Sequence, residues 1–354
     1  MTPLRRFSVM RRLLIGALAA LAVLAAADTA LWFLATARLE NELAAWQMRR
    51  RAAGWTAAAG QPVRAGWPLA AAVRLADPVL AGGDKDLPGG LSWKAGQAEL
   101  AVALLRPQVL RVRVSGQQLL RLSTLPEFGF AADRFEVTIP LGAGPADRLP
   151  LDFSAAGLRV AVSTGPLDIA ALTVHAAAWP AAPPGEAVLA VICTAATIDL
   201  PPLRHARPWP IGPRIAAASF DTALTGPWPG AGDVAARATA WRDAGGKLEV
   251  GRLALSWAAL GLSAGATMAL DEQMQPMGAA TARVVGYDAT LHALAASGVL
   301  GPRVAQAIGG VLGLLARPAQ EGGAPQVEVP VTLENRTLSL GPFPLVRLRE
   351  WVWQ

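Results

Sequence analysis

Cysteine and histidine are almost missing from this chain: its 354 residues hold one of the first and three of the second. The lone Cys193 cannot close an internal disulfide, and it sits in the apolar run AVLAVICTAATIDL, where a buried, inert thiol is expected. His175, His205 and His292 lie far apart, none with another ligand at metal-site spacing, so neither a metal nor a cofactor site is predicted. No G-x-S-x-G elbow, Walker loop, dinucleotide fingerprint or H-E-x-x-H helix occurs, and no catalytic residue is assigned. Charge is sparse too. Charged residues make up 16% of the chain and apolar residues 53%, which excludes a disordered tail and indicates a fold with much apolar surface to hide. The formal charge is +6, but Arg5, Arg6, Arg11 and Arg12 stand together at the N-terminus. The body is therefore close to neutral, and the basic pI does not mark a nucleic-acid-binding surface.

What is present begins with an unbroken apolar run from Leu13 to Ala27, preceded by the four arginines and followed by DTALWFLATA. Two readings compete. Ala25, Ala26 and Ala27 before Asp28 fit a cleaved signal peptide. Alternatively, the helix continues through Asp28 to about Ala35 and spans the bilayer, with Trp32 and Phe33 as interfacial anchors. The run passes smoothly into ARLENELAAWQMRRRAAG, where Leu39, Leu43 and Trp46 recur on one helical face until Gly54 can cap it. That continuity favours a retained anchor, and arginines on the N-terminal side place residues 1–12 in the cytoplasm.

From residue 61 onward, short alternating segments are separated by Gly and Pro clusters. QAELAVALL and QVLRVRV form a hairpin through Arg106-Pro107, RFEVTIP sets Phe135, Val137 and Ile139 against Arg134, Glu136 and Thr138, and GLRVAVS repeats the pattern. Further candidates continue to QVEVPVTLEN and TLSLGP, twelve or more in all, indicating a large, mainly antiparallel β-structure. Helix signals cluster late. Asp288 is expected to cap DATLHALAASG, Gly298 to end it, and Pro302 to open PRVAQAIGGVLGLLAR, the two helices packing on the sheet. The similar phrases GPWPG and GPFPL, and LSWKAG and LSWAALG, raise the expectation of two weakly duplicated halves.

Polar features are better explained by structure than by chemistry. GAGPAD at 142–147 lacks a strand-to-helix context and reads as a loop, and Asp271-Glu272 follow a strand at a turn. Of the twelve tryptophans, Trp32 and Trp46 belong to the anchor helix and the other ten are scattered through loops and strand ends as filler, each with an N–H to satisfy. The strongest pattern is Leu248 to Tyr287. There Leu262, Ala264, Ala266, Met268 and Leu270 alternate with Ser263, Gly265, Thr267 and Ala269, and small residues return at Ala280 and Ala282 before Val284. Small side chains on an apolar face leave space, which makes Leu262, Ala264, Ala266, Met268, Ala282 and Val284 the candidate lining of an apolar groove.

Several phrases carry a family resemblance: the anchor with its long helix and R-x-x-GW at Arg51 to Trp55; GWP at Gly66 to Pro68; the segment from Gly245 to Tyr287; and the terminal LSLGPFPL at Leu338 to Leu345. In this order they resemble the domain of unknown function 2125 family of Gram-negative envelope proteins, although Ala258 and Ala259 stand where a tighter Trp-Gly turn is usual. The resemblance implies an inner-membrane-anchored, β-rich envelope protein of unknown activity. The layout is also similar to AsmA-like proteins, whose curved sheets are associated with lipid transport; that likeness is architectural.

The expectation is thus a mainly β (α+β) protein: a cytoplasmic tail (1–12), a transmembrane helix (13–37), an amphipathic continuation (38–54) and a periplasmic antiparallel β-body (61–354) with a C-terminal helical pair. Its partners are the inner membrane and a lipid, not nucleic acid, and its role is non-catalytic scaffolding or shielding of apolar chains. The alternative is a periplasmic enzyme built on carboxylates and arginines.

Overall fold

The computed structural model describes residues 4–83, 90–122, 125–141, 148–183, 185–203, 208–227, 233–316, 325–341 and 343–353. His205, the loop at 142–147, Trp228 and the linker residues 319–324 lie outside them.

One continuous helix, α1 (Leu4–Ala52), opens the fold. It is the one helix among the described residues long and apolar enough to cross a membrane. Its end is set by Gly54, whose left-handed φ of 84° lets its N–H reach Arg51 O while Trp55 N–H reaches Arg50 O. These two bonds satisfy carbonyls that the terminating helix leaves open.

The remainder is mostly strand. In chain order come β1 (Thr56–Ala58), β2 (Val63–Ala65), β3 (Ala70–Ala76), β4 (Val79–Gly82), β5 (Leu91–Ala103), β6 (Arg106–Leu122), β7 (Phe128–Ala131), β8 (Arg134–Pro140) and β9 (Leu149–Val162). Then follow β10 (Gly165–Ala178), β11 (Ala187–Asp199), β12 (Arg214–Thr225), helix α2 (Val234–Asp243), β13 (Lys247–Trp257), β14 (Leu260–Leu270) and β15 (Pro276–Val285). Helices α3 (Tyr287–Ala296) and α4 (Pro302–Leu315) precede β16 (Gln326–Glu334), β17 (Thr337–Leu340) and β18 (Phe343–Arg347).

These strands make one 18-stranded sheet, antiparallel at every ladder. From β9 to β18 each strand pairs with the next in sequence. Toward the other edge, β7 and β8 share the place between β6 and β9, and β5 carries both β3 and β4 on its far side. A meander of this kind follows from the sequence, because short Gly- and Pro-containing turns join neighbours directly and one-sided alternation leaves one face to solvent.

Register sorts the side chains into two faces. Across the outer face Arg74, Glu99, Arg113 and Glu136 stand opposite one another and pair, with Arg74–Glu99 at 2.7 Å and Arg113–Glu136 at 2.8 Å. The same row continues through Ser154, Thr173, Thr194 and Ser219 and ends in the Arg283–Glu328 pair at 3.1 Å. The other face is apolar, and its first strands lie under α1: Val73 is fully buried, with Leu75 and Ala98 close behind.

Two expectations need adjustment. Asp288 does not cap α3; Gly286 is the N-cap residue with φ 69°, the Thr290 hydroxyl donates to its carbonyl, and Asp288 sits in the first turn, where its charge suits the helix dipole. Helix α2 was not foreseen, although Asp233 marks it by accepting the Ala236 N–H at 2.7 Å as a regular N-cap. The late pair α3 and α4 pack on each other and touch β14 and β16, where Ala305 of α4 and Val327 are buried.

Candidate functional site

The apolar face of the sheet is the feature with most room and least chemistry. Successive register partners on it run Val73, Leu100, Val112, Val137, Phe153, Val174, Cys193, Phe220, Leu253, Ala264, Ala282 and Val329. Twelve strands thus contribute one residue each, every one apolar, over roughly 50 Å at the usual strand spacing. Polar groups on this face are few, and the buried Gln118 leaves its Nε2 without a partner. The Thr222 hydroxyl donates to Val191 O, and the buried Gln118 accepts the Trp93 indole N–H through its Oε1 at 3.2 Å.

Cover over this face is uneven. At the N-terminal strands, α1 lies across it and leaves a cavity of about 450 Å³ lined by Leu43, Trp46, Leu75, Trp93, Leu110 and Ile139, among others. Beside it, Phe128, Phe130, Phe135 and Phe153 form a chain of ring contacts with centroids 4.8 to 6.1 Å apart, around the buried Ala155 and Leu158. From β10 to β15 the face changes character. Val174, Cys193, Ala264 and Ala282 are half-buried, while Phe220 and Leu253 keep 38% and 42% of their surface exposed. A second cavity of about 460 Å³ closes one end of this stretch, where Trp241 of α2 and Trp351 and Trp353 of the C-terminal tail stand near Leu224, Leu248 and Met268.

All six residues expected to line a groove share this face. Leu262 stands opposite Val284, Ala264 opposite Ala282, Ala266 opposite Ala280, and Met268 opposite Gly278. None of them is buried: α3 and α4 leave the small-residue stretch half open. Sequence reasoning missed that the face continues across the sheet, with Phe153, Val174, Cys193 and Phe220 in the same row; their alternation was visible but their register was not.

The lone Cys193 belongs to this row. Burial pushes its thiol above the ordinary cysteine range, which makes it a poor nucleophile at neutral pH. The remaining candidates stand elsewhere. His175 meets Asp152 at 2.7 Å on the exposed outer face. His292 bonds the Asp288 carbonyl in its own helix. Asp271 accepts the N–H groups of Gln273 and Gln275 and so fixes the turn before β15, beside a surface pocket of about 510 Å³ that Arg242, Glu272 and Glu334 also line. Among the described residues no three His, Cys, Asp or Glu side chains gather closely enough to hold a metal ion.

Four tryptophans behave as filler with satisfied N–H groups, whereas Trp67 and Trp351 are exposed. Trp209, Trp241, Trp257 and Trp353 donate to the carbonyls of Pro201, Thr225, Gly212 and Met274 at 2.7 to 2.8 Å. Gly226 and Gly246 leave the space Trp241 occupies, since a Cβ at either would run into its ring.

No curated protein and no solved structure matched this chain. Residues 32–349 match the family described as an uncharacterized protein conserved in bacteria, DUF2125, a range from the last turns of the apolar helix to the end of the sheet. The chain therefore belongs to the DUF2125 family.

Proposed function

We propose that this protein is a single-pass inner-membrane protein whose body stands in the periplasm, and that its apolar sheet face shields lipid acyl chains during envelope biogenesis without performing catalysis. The observation that carries this reading is the twelve-strand apolar row whose middle has no covering layer among the described residues. Large apolar surface left half open on a folded protein marks a binding surface, and the cross-strand charge pairs Arg74–Glu99, Arg113–Glu136 and Arg283–Glu328 stand on the opposite face. The helix supports retention of the anchor: it continues without a break through Ala25–Ala27, and its later turns are clasped to the body by Trp32, Thr36 and Glu40. Arginines on the N-terminal side favour a cytoplasmic N-terminus. The layout expected to be similar to AsmA-like proteins belongs to the same proposal.

Cys193 supplies the test, because neighbouring residues of a strand point to opposite faces. A photoactivatable benzophenone is attached to Cys193 in native membranes, at mildly alkaline pH because the thiol is held protonated by burial. The control carries Cys193→Ala with Thr194→Cys, one residue on and on the outer face. After irradiation, mass spectrometry should find phospholipid adducts at position 193 and not at 194. Equal labelling of both positions, or lipid on neither, rejects the apolar face as a lipid surface.

A further inference from the structure

The proposed lipid face raises the question of how it meets the bilayer, and the strand ends beside α1 give an answer. Exposed Leu, Ile and Val side chains run along α1 from Leu14 to Leu34, a rise of about 30 Å that matches the hydrocarbon thickness. Trp32, within the last turn of that stretch, donates its indole N–H to Ala65 O of β2 at 3.1 Å. About two turns further on, Glu40 is paired by both oxygens with Arg64, whose guanidinium also lies 5.9 Å from the Phe33 ring centre. These contacts fix β2 at the level where the apolar stretch of α1 ends.

The chain leaving β2 turns at once through Gly66 into Trp67, Pro68 and Leu69. Two residues of chain cannot carry Trp67 more than about 7 Å from Ala65. The neighbouring turn between β5 and β6 is tied to it, since Leu104 N–H donates to Leu69 O at 3.1 Å. At these two tips Trp67 is 57% exposed, Leu69 75% and Leu105 91%. Arg106 follows Leu105, and a cation beside an apolar tip is the pairing favoured at headgroup depth.

We propose that these two tips, through Trp67, Leu69 and Leu105, dip into the interface of the bilayer that α1 spans, on the side where the body stands. The occupant is the lipid surface itself. The argument is continuity: an apolar cluster with no protein cover is held by direct bonds at the height where the spanning stretch of the anchor ends. The contact turns one end of the cavity under α1 toward the membrane, because Leu110 and Ile139 line that cavity near the same strand ends. Only the first strands share this placement, since a twist of about 20–25° per strand turns the later strand ends away. The inference rests on α1 being a retained span.

The test uses the full chain with Cys193→Ala, reconstituted into vesicles of phosphatidylethanolamine and phosphatidylglycerol. A polarity-sensitive fluorophore is placed in turn at Leu105→Cys, at Leu125→Cys on the opposite strand ends, and at Leu24→Cys within α1. All three positions are exposed, so labelling does not disturb the fold. Nitroxide lipids labelled near the top of the acyl chain should quench the probe at 105 and blue-shift its emission, leave the probe at 125 unchanged, and lipids labelled deep in the chain should quench the probe at 24. Quenching at 24 with equal, weak responses at 105 and 125 overturns the rim contact and leaves the anchor standing. No quenching at 24 overturns the anchor and with it this inference.

Discussion

The sheet contains two sections with the same alternation and different fates. In β3 to β9 the apolar side chains are covered by α1 and by the phenylalanine chain, so that Val73, Val114 and Leu158 are buried. In β10 to β15 the same period of two yields Val174, Cys193, Phe220, Leu253 and Ala264, none of them buried. Alternation decides which side chains share a face; it says nothing about what lies over it. The first section brings its own lid in sequence; in the second the apolar face stays half open among the described residues.

The comparison breaks most directly by cutting one phenylalanine from each section. Phe130→Ala removes a buried ring that touches Phe128 and Phe135, and denaturant unfolding of the solubilised protein should show a loss of about 3–5 kcal/mol. Phe220→Ala removes a ring with more than a third of its surface exposed, and the loss should stay near 1 kcal/mol, because less area returns to water and no closed cavity forms. If the two losses are equal, the middle section is filled in the lipid-free protein and the contrast disappears.

A smaller effect sharpens the same contrast from the other direction. The hairpin between β13 and β14 turns through Ala258, which is held at φ 50°, a left-handed conformation that strains a residue with a Cβ. Ala258→Gly relieves that strain at the expense of a more flexible unfolded chain, for a net gain of roughly 0.5–1 kcal/mol. Since this section is only partly covered among the described residues, the gain should appear as slower amide exchange in β13 and β14, with β5 and β6 unchanged. Equal slowing in both sections would mean that the sheet opens as one unit.

Much of this architecture could be read from the residues. Strands with one polar face announced themselves, as in Arg111 and Arg113 against Leu110, Val112 and Val114, and so did the long first helix and the late helical pair. Strand β3 did not, because α1 covers one of its faces and its first residues are small alanines. Its Ala71, Ala72 and Val73 are all buried in succession, which leaves only the short stretch from Val73 to Ala76 to alternate. Helix α2 hid for a related reason: its Ala- and Arg-rich turns present little apolar face, and only the Asp233 cap marks it. The shared face of Leu262 to Val284 was legible because alanine there is unusually regular. Its extension through Phe153 and Phe220 depended on register across several hairpins, which local pattern does not fix.

The smallest expected effect concerns the clasp that keeps the lid on the first section. Hydrogen bonding and the charge of Arg64 hold the Glu40 carboxyl below the usual glutamate range. A carboxylate lowered in the folded state stabilises that state above its unfolded value, and the contribution is lost as pH falls through the lowered folded value. Both partners keep contact with solvent, which screens the pair, so the effect on global unfolding should be slight. It should be visible locally. Amide exchange in Val63–Ala65 should be slower in the native protein than in Glu40→Gln at neutral pH, and the difference should shrink to nothing once acid protonates Glu40. A difference that persists unchanged into acid would assign the clasp to the Trp32–Ala65 bond and the Phe33 contact, leaving the ion pair without a part in holding α1 over the strands it covers.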